Sequence, residues 1–409
     1  MDRGWKWIAA SLLAVVVAWP SAAAAQAIKV EPTAELALRY RGVFLFAGNS
    51  SDKLASGPEQ AFRLGVNAAS PGEFIKARLA LRSGDVTAAN TPWAPLGTFA
   101  SDGRLVSLDE AWISSAVSMA PELQLVVGQW AAPWRRGGLV WDDDVRLPGL
   151  WVDYLREEDG GTWARAHFNA GVGYLSAGQP DGGDETYILG IETGASWALG
   201  SVQVSVDLGY FDVVGHRRLG RGIARGDLRV GLRPVGFTAN TTDTDDTQAQ
   251  EEITRRLVND GLASDFTVLR LRLEVSTPLA EAMELIFDVH AAHNLGASGP
   301  GSDHATALEA GLQLGRADVV GQGQVRLVGV MIGSDAVLDA FNNDMYGTNL
   351  VGGGVSGALM LFEGMRLGFE GLYSEQLEGT LRGLGDGRGE PLSGDPQAFQ
   401  LHVTVNYAF

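Results

Sequence analysis

Cysteine is absent from the chain. Its absence excludes a disulfide scaffold, thiolate metal ligation and a cysteine nucleophile. Long apolar runs are also missing. The longest, at 8–18, falls short of the roughly 20 residues a spanning helix needs. Lysine is scarce: after that stretch the chain has Lys29, Lys53 and Lys76 and no other, and acid outweighs base to a net charge of −18. So acidic a chain is a poor partner for nucleic acid. Enzyme signatures are lacking as well. There is no His-Glu-x-x-His and no Gly-x-Ser-x-Gly, and the glycines at 383–387 follow no strand and open no helix. His290 and His293 are oddly spaced, so on a strand they face opposite sides and cannot share a metal. Asp288 and His290 do share a face, and read as a hydrogen-bonded pair, with catalytic use as the alternative. No metal site and no cofactor is expected.

What the chain does have is alternation. Leu36, Leu38, Tyr40, Phe44 and Phe46 share one parity, with Glu35, Arg39 and Arg41 on the other. Phe62, Leu64 and Val66 oppose Arg63 and Asn67; Ile75, Ala77, Leu79 and Leu81 oppose Lys76, Arg78 and Arg82. The pattern returns at 122–130, where Leu123, Leu125 and Val127 share a face, and at 202–210, 269–275, 283–290 and 308–314. At the C-terminus, Phe399, Leu401, Val403, Val405, Tyr407 and Phe409 oppose Gln400, His402, Thr404 and Asn406. A period of two predicts strands with one apolar and one wet face. An arginine at every second position cannot face lipid, where a charge near the midplane costs about 2–4 kcal/mol, so these faces must line a wet interior. Only the segments at 104–116, where Leu108-Asp109-Glu110-Ala111-Trp112 breaks the alternation, and 150–156 are weakly patterned.

Connections also alternate. Short ones at 70–72, 119–121, 157–161, 199–200, 277–279 and 362–364 separate long ones at 47–59, 83–103, 131–149, 176–185, 214–263, 295–304, 333–348 and 377–396. Short turns on one rim and long loops on the other are the layout of an outer-membrane barrel. The expectation is an all-β fold: a transmembrane antiparallel β-barrel of about 16 strands, wide enough for an aqueous channel, with short periplasmic turns and long extracellular loops. Gly is frequent, at 54 residues, mean hydropathy is near zero, and no linker interrupts the chain. One domain, 26–409, is expected. Arg3 and Lys6, the apolar 8–18 and Ala23-Ala24-Ala25 predict a cleaved signal peptide over 1–25 and export to the cell outer membrane.

The terminal strand ending in Tyr407 and Phe409 resembles the signal that bacterial outer-membrane barrels present to their assembly machinery. In layout the mature chain resembles the 16-stranded bacterial porins. Leu123-Gln124-Leu125-Val126-Val127-Gly128-Gln129-Trp130-Ala131-Ala132-Pro133-Trp134 is similar to the strand that leads into the third loop of the phosphate-selective porins. The acidic Pro-Glu-Phe-Gly-Gly of general porins is absent. The resemblance implies passive diffusion of small ions and solutes, outer-membrane lipid as the surroundings, and homotrimers. It also implies a third loop folded into the lumen, its Asp142, Asp143 and Asp144 facing a basic wall of Arg39, Arg41, Arg63, Lys76, Arg78 and Arg82. Opposed charges in a narrow pore orient polar solutes and select ions. The alternative is a solvated loop tip, with arginines paired to neighbouring carboxylates.

Several features stay open. Arg135, Arg136 and Arg146 could clip the aspartates within loop 131–149. Trp130, Trp134, Trp141 and Trp151 could form a track for sugars, although girdles and loop packing use Trp more often. Loop 214–263 is basic, then acidic, and reads as a solvated loop; its Arg225-Gly226-Asp227 carries little weight. A surface enzyme, or a binding and adhesion barrel that uses its loops, is the rival class. Selectivity signals conflict. The acidic total favours cations, whereas the arginine faces favour weak anion preference or neutrality, with phosphate as one candidate because arginine grips it bidentately.

Overall fold

The last strand pairs with the first, and that closes the sheet. In the computed structural model β17 (Gln397–Ala408) runs antiparallel to β1 (Lys29–Ala47), with Leu36 opposite Tyr407, Arg39 opposite Thr404 and Phe44 opposite Phe399. The structure describes residues 28–408, apart from 48–49, 84–92, 96–105, 132–133, 135–137, 143–144, 158–162, 177–185, 216–264, 281–282, 299–302, 339–344, 347 and 378–396.

From β1 the sheet proceeds through β2 (Ser50–Ala69), β3 (Ile75–Arg82), β5 (Ser107–Val117), β6 (Ala120–Ala131), β7 (Arg146–Glu157), β8 (Trp163–Ser176) and β9 (Thr186–Leu199). It continues through β10 (Val202–Val214), β11 (Thr267–Ala280), β12 (Met283–Asn294), β13 (Thr306–Leu314), β14 (Gly323–Ile332), β15 (Leu350–Phe362) and β16 (Met365–Gln376). β4 (Ala94–Pro95) is a two-residue patch on β2 at Glu59 and Gln60. The wall is therefore a closed barrel of sixteen antiparallel strands.

Parity decides which way each side chain faces. Leu36, Tyr40, Leu64, Leu79, Leu125, Leu208, Leu271, Phe287, Leu327 and Phe369 are exposed around the outside. An apolar belt this continuous far exceeds the few hundred Å², roughly, that water-facing proteins tolerate, and it matches a lipid-facing band. The opposite parity (Arg39, Arg82, Asp207, Arg270, Asp288, Gln400 and His402) is buried inside.

Several boundaries differ from the sequence expectation. The long connection at 47–59 is instead a tall hairpin, with β1 and β2 pairing up to Ala47 opposite Ser50 and a bulge between Val43 and Phe44. Its polar composition suits a loop, but above the bilayer a ladder needs only backbone hydrogen bonds. The turn expected at 277–279 lies inside β11, where Pro278 sits beside a register shift on the strand's last turn-ward residues. A seventh short connection, 315–322, joins β13 to β14, and Gly315 and Gly321 adopt φ of +80° and +84° there. The weakly patterned segments are both strands, β5 and β7.

Two long connections enter the barrel. From the one between β6 and β7, Trp134, Leu139, Val140, Trp141 and Val145 pack onto Trp151, Ile188 and Phe211 of the wall. Trp134 stands 4.7 Å from Trp141, 5.1 Å from Trp151 and 4.8 Å from Phe211, centroid to centroid. Gly190 makes the room: a Cβ there would sit within the Trp134 ring. From the connection between β14 and β15, Ala336, Val337, Met345 and Tyr346 join the same cluster with Ile332, Leu350 and Leu372. Gln400 Nε2 donates to Met345 O at 2.5 Å, and Asn294 Nδ2 to Asp335 O at 2.8 Å. The apolar cluster thus lies inside the barrel, against the β6–β17 side.

Candidate pore and its charged walls

The basic wall begins on β1. Arg39 is buried against Glu59, 2.6 Å away, and its guanidinium lies 4.1 Å from the Trp93 ring centroid. Arg41 reaches the same carboxylate at 3.8 Å. On β2, Arg63 meets Glu35 at 3.2 Å and Asp109 at 2.5 Å. On β3, Arg78 meets Glu110 at 3.2 Å and donates from Nη1 to Asn67 Oδ1 at 2.9 Å, while Arg82 lies 3.7 Å from Asp109. Lys76 is placed elsewhere: it pairs with Glu73 at the rim turn, 2.7 Å away, outside this cluster.

Asp109 and Glu110 are neighbours in sequence, yet both side chains enter the lumen. The cause is a β-bulge. β3 and β5 slip register between Ala80 and Leu81, leaving Asp109 as the extra residue on β5. A bulge re-aims a side chain that strict alternation would send outward. Gln129 Nε2 donates to the carbonyls of Leu108 and Asp109, each at 2.9 Å, at the point where the ladder is disturbed. Arg146, which follows the inward loop directly, lies 3.4 Å from both Asp109 and Glu110. Four arginines therefore surround two carboxylates. The carboxylates lie underneath, Asp109 with 0% and Glu110 with 10% of its side chain exposed; Arg63 and Arg78 lie above them, with 22% and 20%.

The facing arc, β8–β14, is also paired. Arg270 meets Glu192 at 3.0 Å, and His167 lies 3.6 Å from Glu192 and 3.5 Å from Asp207. Arg272 meets Glu274 at 2.6 Å. Arg326 lies 2.7 Å from both Asp288 and Glu309, with His290 3.8 Å from Asp288. Asp288 is thus paired to Arg326, with His290 beside it on the same wall. His293 is exposed and bonds Thr306, so the two histidines do face opposite sides. Tyr346 on the inward loop approaches Glu309; burial first, then that negative charge, push its hydroxyl well above the ordinary tyrosine range. Among the described residues no group of His, Asp and Glu could hold a metal.

Of the expected acidic loop residues, Asp142 is half-buried in the inward loop, its carbonyl accepting from Val145 N at 3.3 Å, and Asp143 and Asp144 lie outside the described residues, as do Arg135 and Arg136. Carboxylates of the barrel strands also meet the basic wall: Glu35, Glu59, Asp109 and Glu110. Sequence reasoning overlooked Asp109, Glu110 and Arg146 as one unit. Their signal was present in the broken alternation at 108–112. Trp134, Trp141 and Trp151 are fully packed, which fits loop packing and leaves no face for a sugar. Tyr407 is exposed on β17; Phe409 lies outside the described residues.

The family described as "Putative porin" matches over residues 58–402. No curated protein matches the chain. Among solved structures, the anion-selective porin from Comamonas acidovorans is 12% identical over 94% of this chain and 100% of its own, with a TM-score of 0.49. OmpF of Salmonella typhi, solved with daunomycin, is 10% identical over 92% and 97%, at 0.47. The outer membrane channel DcaP of Acinetobacter baumannii is 11% identical over 93% and 97%, at 0.47.

Proposed function

This chain belongs to the putative porin family, and from that premise we propose that it is an outer-membrane channel through which small hydrophilic solutes and ions diffuse passively. The observation that carries the reading is the layering on the β1–β5 wall, where the partly exposed Arg63 and Arg78 lie over the more deeply buried Asp109 and Glu110. The inward loops pack against β6–β17 and leave the β1–β5 arginines uncovered by the apolar cluster.

An ion in this path senses charges within about 8–10 Å and is screened from the rest. The net charge of −18 therefore matters less than the few arginines at the wall. We assign the channel a weak anion preference or near-neutrality, with Arg39, Arg41, Arg63, Arg78 and Arg82 as its source. Phosphate is one anion these guanidiniums suit, because they can hold it bidentately. Residues 1–25 act in this account as a cleaved export signal, the Tyr407–Phe409 end as the mark read by the assembly machinery, and the mature barrel as a homotrimer, which chemical cross-linking would test.

Liposome swelling tests the reading. Vesicles carrying the purified barrel should swell in arabinose and glucose at rates that fall with solute size. Vesicles that stay osmotically tight at high protein load would instead favour a surface enzyme or an adhesion barrel.

A further inference from the structure

We infer that Arg78, Trp112 and Trp130 form a subsite on the pore wall for small aryl carboxylates, an inference that rests on the channel reading above. Trp112 on β5 and Trp130 on β6 both face the lumen, their ring centroids 5.9 Å apart and tilted by 51°. Neither is fully buried: they lean on the edge of the apolar cluster and turn their remaining surface to the interior. Trp112 is the direct register partner of Arg78 across β3 and β5, and opposed residues of this kind have Cβ atoms about 4.5–5.5 Å apart.

Glu110 fixes the pair. Its Oε2 accepts from Trp112 Nε1 at 2.9 Å and lies 3.2 Å from Arg78 Nε. Asn67 Oδ1 takes Arg78 Nη1 at 2.9 Å. The Nη2 amino group has no partner among the described residues, and the side chain is 20% exposed. One edge of a guanidinium, held still, therefore meets the lumen beside a two-indole platform.

Each half of this arrangement recognises half of one ligand. The guanidinium edge donates charge-assisted hydrogen bonds to a carboxylate. The indoles offer offset or edge contact to a flat ring. Acetate meets only the first and benzyl alcohol only the second. Phosphate would be satisfied by arginine alone and leaves the aromatic pair unused. Glu110 also offsets part of the local positive charge, which keeps an anion from being trapped, as passage demands.

Single-channel recording in KCl with benzoate, acetate or benzyl alcohol added tests this. Benzoate should interrupt or lower the current at concentrations where the other two do not. R78Q and W112L should each raise the half-blocking benzoate concentration by about tenfold, in line with one lost ionic or aromatic contact. W130L serves the same purpose should W112L fail to assemble. W197F, on the lipid face, should leave the value unchanged. Equal block by acetate, or wild-type benzoate sensitivity in the tryptophan variants, overturns the subsite while intact KCl steps leave the channel standing. Absence of steps in the unmodified protein would remove the channel reading itself.

Discussion

Asp109 Oδ1 lies 3.4 Å from Arg146 Nε, an ion pair that reaches over β6 to join the bulge of β5 to the first residue of β7. Arg146 is also the residue at which the inward loop rejoins the wall. One buried carboxylate thus spaces the arginines of the β1–β5 wall and anchors the exit of the inward loop.

Removing that carboxylate should be costly. Breaking a buried charge cluster by deleting one partner typically costs about 3–5 kcal/mol. Asp109→Ala should lower the unfolding temperature in detergent, followed by heat-modifiable gel mobility. Asp109→Asn should in addition move the zero-current potential toward anions. A wild-type melting curve with an unchanged potential would show that the cluster is incidental.

The wall arginines should set selectivity. Replacing Arg41 and Arg78 together by Ala should shift the reversal potential in a KCl gradient toward cations. If the double variant reverses where the parent does, those side chains do not line the constriction.

Alternation made the barrel legible. Wherever one face meets lipid and the other water, the period of two is enforced at each residue, as in Leu36–Arg39–Tyr40 and Gln400–Leu401–His402. The turns were legible from Gly364 and Gly200, which take φ of +77° and +66°. The site was legible only in half. The arginine faces of β1–β3 follow from parity, but their partners do not, because a bulge at Asp109 changes parity without any residue signature beyond the broken pattern. The polar stretch 50–59 was misread for the converse reason: above the bilayer nothing enforces an apolar face. The resemblance implies that loop 131–149 turns into the lumen; that Trp134 and Trp141 pin it there is a tertiary fact, set by the gap over Gly190 and the Phe211 ring across it.

The inward loop should come loose when its anchor is removed. Trp134→Ala deletes a fully buried side chain, at a typical cost of about 3–5 kcal/mol. Gly190→Val should produce the same phenotype from the other side, because its side chain would occupy the Trp134 ring position. Both variants should show larger conductance and faster proteolytic cutting within 132–145. Parental conductance in both would mean the loop does not narrow the path.

Salt should erase the selectivity. Raising ionic strength from 0.1 to 1 M shortens the Debye length from about 10 to about 3 Å. The difference in reversal potential between the unmodified channel and the Arg41/Arg78 variant should shrink accordingly. A difference independent of salt would point to steric sieving rather than to the charged wall.

The most direct test of the whole account is the unmodified barrel in a planar bilayer under a KCl gradient. Discrete, ohmic conductance steps are expected, with a reversal potential near zero or slightly on the chloride side. Silent bilayers at high protein load, or steps with strong preference for potassium, would contradict it.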